Sequence, residues 1–336
     1  MPPETAMLSA APPAQSPRLS GPWRTPLAWL AAAAAALIAV TAQAWGAMLH
    51  QWWNIDTYNH LLLVPLIIAW LVALKEEDLA RLTPRSFAPG LLVVAAALGV
   101  WRMGEGLGIN LVAQAGAVGA LQAAAVTVLG LRVGLLLALP LGMACFLVPF
   151  GDEIIPPLQF VTAEIAIALT HASGVAARIE GINIHTPAGL FIVAEACSGV
   201  KFLVAMVTIG VLVVFTRFTT WRRRAAFLAL CVVVPILANG VRAWATIYIA
   251  QFIGAERASG FDHIVYGWVF FAIVVAAMLA GAWRWFEREP EDFGWKSETL
   301  AGWKWLTLAE AYGAAPRIAG LAIIGLAGVA ALSLLL

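Results

Sequence analysis

A cysteine at position 197 sits in Val193-Ala-Glu-Ala-Cys-Ser-Gly-Val-Lys-Phe202, on a small polar turn just ahead of a long apolar run. A thiol becomes a nucleophile when its thiolate is favoured, and a helix N-terminus or a neighbouring cation does that. Ser198-Gly199 supplies a turn that would start a helix, whose free N–H groups suit a developing oxyanion. A cation comes from Pro235-Ile-Leu-Ala-Asn-Gly-Val-Arg-Ala-Trp244, which sets Arg242 inside an otherwise apolar stretch. A charge at membrane depth costs at least ~2.5 kcal/mol on insertion scales, so Arg242 should face a protein interior or a wet pocket and have a partner. Asn239, three residues earlier on the same helical face, is the nearest one. Pro235 and Gly240 predict a local kink with room for a substrate. His263 follows Asp262 and shares a helical face with Tyr266, Gly267 and Phe270. An imidazole can take a thiol proton near pH 7 and return it to a leaving amine. Each residue alone has a plain alternative: a small-residue helix start, an arginine reaching for headgroups, an interfacial histidine. Three of them at one depth point to acyl transfer.

Other polar residues carry less. Glu195 and Lys201 flank the thiol and are expected, with Asn239, to contact a substrate. His50, Asp56, His60, His171 and His185 lack metal-ligand spacing, so neither a metal nor a cofactor is expected. Asp152, Glu153 and Glu164 read as solvated loop acids. Trp52, Trp53 and Tyr58 read as an interfacial aromatic belt. Cys145 and Cys231 lie in apolar runs and are expected as small buried hydrophobes, with no disulfide framework.

The elements that must hold these residues are membrane spans. Of 336 residues 62% are hydrophobic and 12% charged, against about 25% charged in soluble domains. A net charge of +1 argues against nucleic acid as a partner. With roughly 20 apolar residues needed per span, the chain predicts an all-α polytopic bundle. Spans fall near 26–49, 59–74, 88–103, 109–130, 132–150, 200–216, 225–250, 263–284 and 317–336, eight in the main body and one at the C-terminus. Residues 1–25 form a polar tail, 26–285 the main domain, 286–316 a linker with an interfacial segment, and 317–336 the last span. The run from Pro26 to Leu49 is longer than a signal-peptide core and reads as a retained span. With the N-terminus cytoplasmic, the opposite side receives only Arg102, Arg178, Lys201, Arg242 and Arg257 of the twenty Lys and Arg, the bias expected of loops that stay inside. Cys197 then precedes an inward-running span, and Arg242 lies about 26 Å along an outward-running one. His263 opens the next span from the outer side, so all three share the outer leaflet. Between 151 and 196 lies the one long outer loop. Leu158, Val161, Ile165 and Leu169 predict a helix lying on the membrane surface. Residues 179–196 predict a β-hairpin around Thr186-Pro187-Ala188-Gly189 that delivers the chain to Cys197.

Three blocks on consecutive spans, Glu195-Ala-Cys-Ser-Gly-Val-Lys201, Ala238-Asn-Gly-Val-Arg-Ala-Trp244 and Asp262-His-Ile-Val-Tyr-Gly-Trp-Val-Phe-Phe271, resemble the signature blocks of the exosortase/archaeosortase family. Within it the chain is most similar to exosortase A, the type associated with exopolysaccharide loci. The resemblance covers about residues 26–285; Lys201 departs from the arginine or glutamine expected there. It implies a multi-pass cysteine peptidase of the bacterial inner membrane, sortase-like, acting from the periplasmic side. The implied partners are exported proteins that end in a Pro-Glu-Pro (PEP-CTERM) motif, an apolar span and a basic tail. On that resemblance Cys197 is the thioester-forming nucleophile, Arg242 the proton donor or oxyanion stabiliser, and His263 the third essential residue. Arg242 or Lys201 would pair with the motif's Glu. From a different class, a non-enzymatic transporter or assembly component for polysaccharide export, with Arg242 lining a conduit, is the alternative.

Overall fold

The structure is a computed structural model that describes residues 21–258 and 262–334; the side chains of Glu256 and of residues 262–266 also lie outside what is described. Ten longer helices make the frame: α1 Gly21–Val40, α2 Ala42–Asn54, α3 Val64–Ala73, α4 Gly90–Leu107, α5 Asn110–Leu129, α6 Ile155–Ala172, α7 Val200–Arg217, α8 Trp221–Ile253, α9 Asp262–Ala282 and α10 Pro316–Leu332. Strands β1 Ser86–Phe87, β2 Arg178–Glu180, β3 Asn183–Thr186, β4 Gly189–Ile192 and β5 Gly313–Ala314 complete it. Among the described residues seven helices are long and apolar enough to cross a membrane, or eight if the pair Ala42–Asn54 and Asn59–Ala73, bent by 109°, is one span. The protein is a polytopic, all-α membrane protein.

Four span expectations change. The first span ends at Val40 rather than Leu49, and Ala42–Asn54 joins Asn59–Ala73 in the bent pair. The stretch 132–150 breaks into Leu131–Leu136, Ala138–Met143 and a 3-10 turn Ala144–Leu147; Pro140 cannot donate back to Leu136, and the break falls between them. The last helix, α10, has 17 residues and is short for a span. Residues 152–172, expected as a helix on the membrane surface, instead pass as a candidate span. The large apolar side chains Phe160 and Val161 point outward, 54% and 42% exposed. Gln159, Thr162, Ala163, Ala166 and Thr170 are packed inside, with Leu158 and Ile167 beside them. A small-residue face admits close approach to another helix, and α6 takes it, running alongside the second half of α8 with Thr162 at Asn239 and Ser173 at Trp244. The room expected beside Gly240 is filled by Ile165 of α6. The helix α8 runs on through Pro235.

One core joins α1, α4, α5 and α10 through Ala33, Leu37, Leu98, Trp101, Ala117, Ala124, Ile323 and Ala327. The hairpin α4–α5 turns at Gly108, whose φ of +69° places it in the left-handed region. The two helices approach so closely that a Cβ on Gly104 or Gly116 would meet the partner's backbone. Residues 286–315, expected as a linker, fold back on the bundle. Phe293, Leu300 and Leu306 are fully buried, Lys75 Nζ donates to the Trp295 carbonyl (3.3 Å), and β5 pairs with β1, Ser86 opposite Ala314. Two of the three expected belt aromatics are buried too. Trp52 Nε1 donates to the Leu147 carbonyl at 2.9 Å, and Tyr58 donates to Asp152 at 2.5 Å, so that acid is not merely solvated. Of the cysteines, Cys231 is buried as expected but Cys145 is exposed.

At the Arg217 end, a single carboxylate ties the α7–α8 turn to the chain after α9. Glu287 accepts from the N–H groups of Thr219 (2.6 Å) and Thr220 (2.8 Å) and from both threonine hydroxyls, and pairs with Arg223 at 3.0 Å. The Thr220 hydroxyl, then the Thr220 and Thr219 amides, hold its carboxyl at about 2, below its ordinary 4.5. A depressed carboxylate adds stability that is complete above its unfolded value and disappears as pH falls through its folded one. Glu287→Gln should therefore lower the Tm of the detergent-solubilised protein at neutral pH and flatten the loss of stability between about pH 4.5 and 2. A variant with the acid limb of wild type would remove the clamp.

Candidate active site

The sheet β2–β3–β4 delivers the chain to the thiol. Its hairpin β3–β4 turns at Pro187-Ala188 in the expected place, with β2 as a third strand. The chain then enters a 3-10 turn, Glu195–Cys197. Cys197 N–H donates to the Ala194 carbonyl (2.8 Å) and Ser198 N–H to the Glu195 carbonyl (3.0 Å). Gly199 follows at φ +85° and α7 starts at Val200. The amides of Gly199 and Lys201 have no acceptor among the described residues.

Asn239 of α8 links this turn to the buried arginine. Its Nδ2 donates to the Cys197 carbonyl at 2.8 Å and to Thr162 Oγ1 at 3.0 Å. Its Oδ1 accepts from Arg242 Nη2 at 3.0 Å and Nε at 3.3 Å. Thr162 Oγ1 donates in turn to the Ser198 carbonyl at 3.3 Å. Arg242 is 3% exposed, so its charge has the interior partner that membrane burial demands. One side-chain amide thus separates the cysteine-bearing turn from the guanidinium.

Aromatic rings form the other wall. Arg242 Cζ lies 5.4 Å and Lys201 Nζ 5.3 Å from the Phe202 ring centroid, and Lys201 is also 5.8 Å from that of Trp268. Phe202 stacks on Phe271 of α9 at 4.7 Å. Two cations beside one ring make a positive region. Asp56, in the bend after α2, and Cys197 are within electrostatic reach of the Lys201 ammonium. At Gly267 α9 passes the arginine so closely that a Cβ would be 3.4 Å from Arg242 Nη1.

Cys197, Asn239, Arg242 and Lys201 are therefore brought together. Glu195 is exposed, and its carboxylate has no partner among the described residues. His263 lies in α9, four residues before Gly267, but its side chain falls outside the described residues. Asn239, expected to touch substrate, uses its donor and acceptor on protein groups. Thr162 and Asp56 were not foreseen: Thr162 sits in what reads as a surface helix, and Asp56 comes within reach only through the 109° bend. Among the described residues no group of three or more His, Cys, Asp or Glu could hold a metal ion.

A polytopic helical membrane protein whose buried arginine is tied through an asparagine to a thiol-bearing helix start defines the class. The chain belongs to the transmembrane exosortases, the family whose model matches residues 52–280. No curated protein and no solved structure matches it. The matched region begins within α2 and ends within α9, so it contains Cys197, Asn239, Arg242 and His263 and leaves out α1 and α10, which pack on each other.

Proposed function

We propose that this exosortase is a cysteine peptidase that cleaves exported proteins at a C-terminal Pro-Glu-Pro sorting signal. The carrying observation is the Asn239 bridge, which holds the Cys197 carbonyl and the Arg242 guanidinium in one unit. The Cys197 thiolate attacks the scissile carbonyl, forming a C–S bond. The oxyanion faces the amides of Gly199 and Lys201 and the Arg242 cation. As the tetrahedral intermediate collapses the C–N bond breaks, and His263, which took the thiol proton, returns it to the leaving amine. Water or an amine then attacks the thioester and regenerates the thiolate. Asn239 and Thr162 position; Lys201 and Glu195 are the groups offered to substrate, with Lys201 suited to the motif's Glu.

The positive-inside count supports an inner-membrane location with a cytoplasmic N-terminus and this site on the periplasmic side. The signature blocks support the exosortase A type, hence a link to exopolysaccharide and biofilm production. The test is coexpression with a reporter that ends in Pro-Glu-Pro, an apolar span and a basic tail. Expected are a product truncated at the motif, by mass, and a thioester to Cys197 trapped by acid quench. An intact reporter in cells carrying the folded protein would reject the reading.

A further inference from the structure

One edge of the three-stranded sheet is protected; the other, among the described residues, is not. On β2, Arg178 and Glu180 pair at 3.0 Å, with His185 Nε2 at 3.9 Å from Glu180, so this edge is charged. Charged edges discourage strand pairing. On β4, the opposite edge, Leu190 and Ile192 are 52% and 57% exposed. The buried face of the same sheet, with Ile184, Val193 and their neighbours, packs on α6 and α8, so exposure of Leu190 and Ile192 is not a failure to form a core.

Backbone register shows what this edge offers. Val193 N–H donates to the Ile182 carbonyl (3.0 Å), and in an antiparallel ladder alternate residues point their N–H and C=O groups away from the partner. Leu190 and Ile192, opposite His185 and Asn183, are those residues. The Ile192 carbonyl is taken by Ala194 N–H at 2.9 Å. The Ile192 N–H and both polar groups of Leu190 have no partner among the described residues. The helix Ala255–Ala258 approaches the hairpin tip, where a Cβ on Gly189 would stand 3.8 Å from Ala255 Cβ. From Ile192 the chain runs through Val193 and Ala194 straight into the Cys197 turn.

We propose that β4 is the docking strand for the substrate polypeptide: the segment next to the scissile bond adds to this edge as a further, extended strand. The inference rests on the peptidase reading and names how that site takes its substrate. Peptide donors and acceptors repeating every second residue are matched by another extended backbone and by little else, and exposed side chains of the edge strand supply selectivity. Leu190 and Ile192 favour apolar side chains in the segment that lies against them. Continuity of β4 with the nucleophile's turn places that segment beside the thiol.

Disulfide scanning tests the geometry. In a protein carrying Cys145→Ala and Cys197→Ala, Leu190→Cys or Ile192→Cys is paired with single cysteines moved along the reporter ahead of its apolar span. Bridges are expected at alternate reporter positions, the repeat of a strand. A repeat of three to four, no bridges, or bridges only between two copies of the protein would overturn the docking strand. In the otherwise native protein Ile192→Pro removes the outward N–H together with the exposed isoleucine side chain and should raise KM for the reporter about tenfold or more with kcat nearly kept, whereas Ile192→Val, which keeps the N–H, should raise it far less. An unchanged KM also overturns it. If the native protein cleaves the reporter and these results fail, the docking strand alone is wrong; if it does not cleave, both proposals fall.

Discussion

Cys197→Ala is expected to leave the protein folded in the membrane and to reduce processing of a Pro-Glu-Pro reporter by at least about 10³-fold. Knocking out a nucleophile that acts in concert with its partners removes nearly all chemistry beyond what binding and the oxyanion site retain. Folding should survive because the hydrogen bonds described for the turn run through the backbone of residue 197. The Ala194 carbonyl takes the residue's N–H, Asn239 takes its carbonyl, and an alanine keeps both. Arg242→Lys gives an independent check on the same unit. Arg242 reaches Asn239 Oδ1 through Nε and Nη2, a fork that an ammonium cannot copy. The lysine protein should lose most activity while retaining charge, which separates positioning from mere electropositivity. The measurement is reporter cleavage followed by mass, with far-UV circular dichroism for the fold. Processing by Cys197→Ala at the native rate would end the peptidase reading.

Some of this was legible from residue type and spacing because membrane physics leaves few alternatives. An arginine in an apolar stretch must find a partner, and Asn239, three residues away on the same face, is that partner. The hairpin around Pro187 was legible from turn residues flanked by alternating apolar ones. What could not be read is long-range. Thr162 reaches the site because α6 stands along α8 with its small residues inward, whereas the spacing of Leu158, Val161, Ile165 and Leu169 suggested a helix lying on the membrane surface. Small residues carry little hydropathy signal, yet they set how closely helices approach. Likewise Tyr58 and Asp152 meet at 2.5 Å across 94 residues, a pairing that depends on the bend after α2. The folding of 286–315 under the bundle was hidden for a related reason: its fully buried residues, Phe293, Leu300 and Leu306, are spread through a short segment with no run long enough to signal packing.

Gly199→Ala is expected to be the most damaging change that leaves every proposed catalytic and substrate-contacting side chain in place. Two costs coincide there. A φ of +85° is strained for a residue with a Cβ, by about 1–2 kcal/mol. That Cβ would also lie 2.7 Å from Asn239 Cγ and Nδ2 and 2.9 Å from its Cβ, so the asparagine must move. Its surroundings leave no easy retreat, since Asn239 is 1% exposed. Displacing it breaks the bonds to the Cys197 carbonyl and Arg242 together and takes the Asn239 oxygen from a buried guanidinium, a far larger penalty than a lost surface contact. Reporter processing should fall about 100-fold or more, with a Tm lowered by several degrees. Thr162→Val is the comparator: it removes one arm of the network, keeps the Asn239–Arg242 bonds, and should cost much less of both. A Gly199→Ala protein as active as Thr162→Val would mean that the thiol and the arginine do not depend on the asparagine between them.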